Sequence, residues 1–213
     1  MKKGKSLEEG AKVEIIFVGR SNVGKSSFIR DLTGKKKVRV GKRPGLTLIP
    51  HHLRYSDMLI TDMPGFGFMS GVQEQSQSFV KDSIVEYIED NAKRILLAVM
   101  IVDGAIFLDL VKRWEGRNEI PIDIEMFDFL REMGIDTVVA VNKIDKINPD
   151  ELDETLDGIA DSLGMMAPWR QWLDTIAPMT VKKGDTRSLR GLIRKRLHDA
   201  KRDDLYKYIP KTT

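Results

Sequence analysis

Gly19-Arg20-Ser21-Asn22-Val23-Gly24-Lys25-Ser26 is the stretch from which the fold can be read. It fits G-x-x-x-x-G-K-[ST], with an apolar run, Val13 to Val18, leading in and a helix-like stretch, Lys25 to Thr33, leading out. Strand, glycine loop and helix in that order make a phosphate-binding loop. The glycines let backbone N–H groups turn inward as a nest of donors, and the helix adds the positive end of its dipole. On this reading Lys25 reaches the β- and γ-phosphates, and the Ser26 hydroxyl is placed to ligate magnesium.

Outward from the loop, apolar strand-like runs alternate with helix-period segments, which predicts a parallel α/β sheet. Phe28, Ile29 and Leu32 line the first helix, ended by Gly34. Lys35 to Pro50 is basic, aperiodic and bears Gly and Pro, so a loop is expected, and Gly65 to Gly71 is a second flexible segment. Between them His51–Tyr55 and Met58–Asp62 read as a hairpin turning at Ser56-Asp57. Val80, Ile84, Tyr87 and Ile88 mark a helix, Arg94 to Asp103 a doubly covered central strand, and Phe107, Leu110, Val111 and Trp114 a short extra helix.

Pro121 opens a helix that Gly134 ends, and Thr137 to Asn142 is the next strand. Asn148-Pro149 caps a helix ended by Gly164, and Ile176 to Val181 is a last strand that Pro178 assigns to the sheet edge. Arg187 to Asp199 closes the fold. Residues 13–202 are therefore expected as a single domain, after a flexible extension, 1–12, and before a tail, 203–213.

The chain has 213 residues, 41% hydrophobic and 31% charged, with no cysteine, which excludes disulfides, thiolate catalysis and cysteine-bound zinc. No apolar run is long enough to span a bilayer, and Met1 to Lys12 lacks the apolar core of a signal peptide, so a cytoplasmic protein is expected. The net charge of +3 and pI near 9.0 come from two clusters. One is Lys35, Lys36, Lys37, Arg39, Lys42 and Arg43; the other is Arg187, Arg190, Arg194, Lys201 and Arg202. Each reads either as a solvated surface or as a contact for a polyanion such as RNA. Trp169 and Trp172 read as packing residues.

The remaining motifs fall beyond the carboxyl ends of strands, where open α/β sheets bind ligands. Pro44-Gly45-Leu46-Thr47, continued by Leu48 and Ile49, offers a threonine hydroxyl to magnesium and an N–H to a γ-phosphate. Asp62-Met63-Pro64-Gly65 ends a strand: the carboxylate holds magnesium through water, and the Gly65 N–H senses the γ-phosphate. Asn142-Lys143-Ile144-Asp145 selects the base. Guanine presents two N–H donors on one edge and the Asp145 carboxylate accepts both, whereas adenine would leave it desolvated and unpaired. Asn142 meets the base on its other edge and ties this loop to the phosphate loop, while the Lys143 stem covers the ring. Thr180-Val181-Lys182 supports the guanine oxygen through backbone N–H groups. An ATP-using kinase or ATPase is disfavoured by Asp145.

GRSNVGKSS, PGLT, DMPGFGF and NKID stand in the order and spacing of the EngB (YihA/YsxC) GTPases, within the TrmE–Era–EngA–EngB–septin class, which the chain resembles from about Val13 to His198. Thr180-Val181 replaces the usual Ser-Ala, and Phe107–Ile120 is longer than in a minimal GTPase. The resemblance implies a Ras-like fold with a six-stranded mixed sheet, binding of GTP and GDP with magnesium, and a monomer acting in assembly of the large ribosomal subunit. RNA or a ribosomal protein of that precursor is the implied partner, and an older family label links it to cell division and septation. Phe66 stands where many GTPases carry a water-orienting Gln, so turnover is expected to need a partner or potassium, with Asn22 at the position where related GTPases help bind that cation. Lys25, Thr47 and Asn22 are the candidate catalytic residues; Ser26, Thr47 and Asp62 are the candidate metal ligands.

Overall fold

Every residue of β1 (Val13–Val18) is buried, as an apolar run covered on both faces requires. The chain, here as a computed structural model, is described over residues 8–34, 49–66 and 74–211, side chains of 74–78 excepted. The remaining strands are β2 (His51–Tyr55), β3 (Met58–Asp62), β4 (Ile95–Asp103), β5 (Thr137–Asn142) and β6 (Ile176–Pro178). They form one six-stranded sheet in the order β2-β3-β1-β4-β5-β6. All pairings are parallel except β2 with β3, the expected hairpin, which leaves β2 at one edge and the Pro178-bearing β6 at the other.

Helices α1 (Lys25–Thr33), α2 (Glu74–Asn91), α3 (Phe107–Glu115), α4 (Ile122–Glu132), α5 (Leu152–Ser162) and α6 (Arg187–Asp199) cover both faces. On one face Phe28, Ile29 and Leu32 of α1 and Leu189, Ile193 and Leu197 of α6 pack on Phe17, Val99 and Ala140. On the other, α2 to α5 pack Val80, Ile84, Phe107, Leu130 and Ile159 against Ile16, Met100 and Val141. Trp169 is buried there, its indole donating to Asp153, in keeping with a packing role. Buried Glu14 of β1 pins α2 through Tyr87 Oη at 2.6 Å and accepts from Arg94 Nε at 2.9 Å. No helix among the described residues is long and apolar enough to cross a membrane.

Three expectations change. The segment after α6 is no tail: Asp203–Tyr208 is a 3-10 helix whose Leu205, with Ile209 just beyond it, is fully buried in the α1–α6 layer. Burial of two apolar side chains outweighs the ordering entropy of so short a segment. Of the expected N-terminal extension, residues 8–12 are held on the hairpin, with Arg54 donating to Glu9 O, Lys12 N to Asp57 O at 2.8 Å, and His52 Nε2 2.9 Å from Glu8.

In the second basic cluster Arg187 and Lys201 are exposed, as a solvated face requires, whereas Arg190, Arg194 and Arg202 are engaged within the fold. Arg190 is buried and donates to Asp31 at 2.7 Å and to Pro210 O at 2.9 Å. Arg194 donates to Tyr206 O and Ile209 O, and Arg202 pairs with Asp57 and Asp204. These side chains hold the C-terminal segment in place. The first cluster, 35–43, lies outside the described residues.

Candidate nucleotide site

The phosphate loop bridges β1 and α1 in a conformation only glycine allows at two points. Gly19 has φ +142°, and a Cβ there would lie 2.3 Å from Ile101 O. Gly24, at φ +111°, would set a Cβ 2.4 Å from Asn142 Nδ2. Both backbones therefore approach neighbours more closely than any L side chain permits. Asn22, at φ +67°, is exposed and takes the left-handed conformation that asparagine tolerates better than most residues.

Lys25 is buried, and its ammonium donates to Gly19 O at 2.6 Å and Arg20 O at 2.9 Å, folding back on its own loop. Burial pulls its pKa down to about 8, against the attraction of Asp62 and Asp123. Ser26 Oγ donates to Asp62 Oδ2 at 2.5 Å. The other oxygen, Asp62 Oδ1, is buried without a partner, and desolvation pushes this carboxyl upward despite Lys25 and the Ser26 hydroxyl. An unpartnered buried carboxylate oxygen beside a serine hydroxyl is a donor set for a hard cation such as magnesium, which takes oxygen ligands. Ser26 and Asp62 thus fit the metal expected of them. Thr47, with Gly45, Leu46 and Leu48, lies outside the described residues, and Ile49 beside them is exposed.

Beyond β3 the chain runs alongside the loop. Met63 N donates to Phe17 O at 3.1 Å, Arg20 and Phe66 form a parallel bridge, and Ser21 N donates to Phe66 O at 3.1 Å. Ser21 Oγ lies 3.4 Å from Gly65 O, and a Cβ on Gly65 would meet it at 2.7 Å. Met63, Pro64 and Phe66 are buried. Phe66 thus points into the core, so the position where a water-orienting Gln was sought carries a packing residue.

Beyond β5, Asn142 is buried and joins three loops. Its Nδ2 donates to Val23 O at 2.7 Å, and its Oδ1 accepts from Val181 N at 3.1 Å. The tie between loops is therefore formed, and one amide N–H remains for a base. Lys143, at φ +65°, reaches back to Asn22 O at 3.0 Å and to Asp103 Oδ2 at 2.5 Å. Ile144–Lys146 is a 3-10 turn that presents Asp145 3.9 Å from Lys183 Nζ. Thr180 and Asp185 bridge as an antiparallel pair, closing the loop that carries Val181 and Lys182.

The loops after β1, β5 and β6 line a cleft of about 620 Å³, which the described residues after β3 do not reach. Asn22, Gly24, Asn142, Lys143, Asp145, Thr180, Val181 and Lys182 line it as the motifs anticipate, joined by Ser27, Arg30, Asp31 and Lys146. The last four were missed. Ser27 directly follows the motif, and Arg30 and Asp31 lie three and four residues on, one helical turn along the same side; that spacing was the available signal.

A family model described as 50S ribosome-binding GTPase matches residues 14–143. The "Probable GTP-binding protein EngB" of Methanosarcina mazei is 60% identical over 210 residues, spanning 98% of this chain and 100% of its own. The protein of that name from Haloarcula marismortui is 46% identical over 197 residues, 92% of this chain and 95% of its own. Among solved structures, a "probable GTP-binding protein engB" superposes with a TM-score of 0.79 at 45% identity, covering 88% of this chain and 100% of that one. Aquifex aeolicus Era bound to GDP.AlF4-, at 21% identity and a TM-score of 0.55 over 94% of this chain and 57% of its own, shares the fold. Likeness of this extent, over nearly the full length of the relatives, decides the assignment: the chain belongs to the EngB family of GTP-binding proteins.

Proposed function

We propose that this protein binds GTP and GDP in the cleft, hydrolyses GTP to GDP and phosphate, and acts as a nucleotide-dependent switch in assembly of the large ribosomal subunit. The observation that carries the reading is Asn142, whose one amide joins Val23 of the phosphate loop to Val181. Asn22 and Gly24 of the phosphate loop line the same cleft as Asp145, and its size suits a nucleotide. In this reading the loop from Gly19 to Ser26 cradles the phosphates and Asp145 accepts the two guanine N–H groups. Lys182 offers a backbone donor to the guanine oxygen, the Val181 N–H being taken by Asn142 Oδ1. Bound magnesium would neutralise phosphate charge, with Ser26, Asp62 and Thr47 as its protein-side donors.

Lys25 turns from Gly19 O and Arg20 O to the phosphates, where its charge stabilises the transition state together with Thr47. Asn22, exposed at the cleft, helps hold potassium beside the phosphates, and turnover is slow without that cation or a partner. The family model is described as ribosome-binding, which supports a large-subunit precursor as the partner.

Fluorescent GDP displaced by unlabelled GTP, GDP and ATP tests the first step; displacement by ATP as readily as by GTP would overturn guanine selection. Co-sedimentation with large-subunit particles in GDP and in a GTP analogue tests the second, with retention expected only in the analogue. Burial of Phe66 favours a second reading, a nucleotide-dependent scaffold in septation with little hydrolysis of its own. Single-turnover hydrolysis with and without large-subunit particles separates the two, since the scaffold predicts no acceleration.

A further inference from the structure

Arg20 belongs to the phosphate loop yet does not line the cleft. Its guanidinium donates to Asp123 Oδ2 at 3.1 Å, with side-chain exposures of 12% and 3%. Asp123 stands in the first turn of α4, and burial pushes its carboxyl up to about 6 in spite of the attraction of Arg20 and Lys25. A carboxylate held so far from water is retained against a desolvation penalty.

The same turn of α4 makes a second grip: Glu125 Oε2 accepts from Lys81 Nζ of α2 at 2.5 Å. α4 thus touches both the phosphate loop and the helix that follows the Asp62–Phe66 segment. Within the loop the two limbs are anchored separately. Val23 is held by Asn142, whereas Arg20 and Ser21 are held against Phe66 and Gly65. By hydrogen bond Asp123 reaches only the second of these arrangements, through Arg20.

We propose that Asp123 is a positioning residue that acts through Arg20 to fix the first limb of the phosphate loop against Gly65–Phe66, and thereby sets how strongly the site prefers GTP to GDP. The proposal rests on the guanine-nucleotide reading above. On this reading the limb that Asn142 anchors faces the α- and β-phosphates, so GDP feels Asp123 only through the attraction between its carboxylate and Lys25. The γ-phosphate lies against Gly65, whose distance from the loop the Arg20 limb controls.

The test is the affinity of the full chain for GDP and for a non-hydrolysable GTP analogue with magnesium, in wild type, Asp123→Asn, Arg20→Met and the double variant. Each single change is expected to weaken the analogue about tenfold, the order of one charge-assisted hydrogen bond, and GDP less than about twofold. The double variant is expected to be no worse than either single, because both act through one contact. A merely structural role would lower the melting temperature and weaken both nucleotides alike. Equal losses, no loss, or losses that add would overturn the proposal. Should Asp123→Asn fail to fold, Arg20→Lys, which keeps the charge and loses the planar fork, is read by the same ratio. Wild type that binds neither nucleotide overturns the functional reading and this proposal with it; an unchanged ratio in variants of a binding wild type overturns this proposal alone.

Discussion

At Asp145 the whole of base selection is assigned to a single carboxylate. On the proposed reading Asp145→Asn exchanges an acceptor pair for an acceptor and a donor, which suits xanthine rather than guanine. GTP affinity should fall about 10- to 100-fold while xanthosine triphosphate gains, in line with roughly 1–3 kcal/mol for an unpaired buried polar group. Retained preference for GTP in a competition titration would contradict the base-recognition argument. Asp123 makes a prediction about stability that needs no nucleotide. Its folded-state pKa, about 6, lies above the ordinary 3.8, mainly through burial, with Arg20 and Lys25 opposing. Folding therefore favours the protonated form: that contribution is full below the unfolded pKa and is lost as the pH rises through about 6. Asp123→Asn lacks this dependence. Urea unfolding of both proteins should find the variant gaining about 1 kcal/mol relative to wild type between pH 5 and pH 7.

At the scale of elements, the C-terminal segment is the least expected part of the molecule. Leu205 and Ile209 are fully buried, Tyr208 lies against Tyr55 of β2, and Arg202 ties the segment to the β2–β3 turn through Asp57. Arg190 extends the chain of contacts to Asp31, at the rim of the cleft. Deleting residues 203–213 should cost at least about 4 kcal/mol, from two buried aliphatic side chains at roughly 2–5 kcal/mol each. Arg190→Met should cost less, about 2–3 kcal/mol, because its partner Asp31 is 36% exposed and water recovers part of the loss. Denaturant midpoints at unchanged slope measure both, and a deletion as stable as wild type would mean that the segment only decorates the domain.

For the whole molecule, the sheet brings four loops, from β1, β3, β5 and β6, to one edge, and α4 braces the first of them while also holding α2. Among the described residues Phe66, which directly follows Gly65, faces the core and orients no water. On the proposed reading a cation at Asn22 is the supplement. GTP turnover should be at least about tenfold faster in potassium than in sodium at equal ionic strength, the low end of what a cation beside a transferring phosphoryl group contributes. Equal rates would remove Asn22 from the catalytic set.

Much of this arrangement is legible in the sequence because its signals are local. The apolar run Val13–Val18, the glycines at 19 and 24, the strand Thr137–Asn142 and the helix Arg187–Asp199 each follow from a periodicity or a backbone requirement within a few residues. Motif order alone suggested that Asn142 would meet the phosphate loop, because both lie beyond carboxyl ends of parallel strands, β1 and β5, which only β4 separates. Ion pairs carry no such signature. Arg20 with Asp123 spans 103 residues and Arg190 with Asp31 spans 159, so neither leaves a pattern in any window of the chain. The basic cluster at 187–202 reads as a surface for the same reason: composition counts the cations but not their partners. Strand, loop and helix order follows from the sequence because its signals are local, and so does the expected placing of the phosphate and base loops at strand ends. Only the tertiary structure decided which charges are consumed internally and that residues 203–209 belong to the core, because burial and pairing depend on neighbours that the chain meets only once folded.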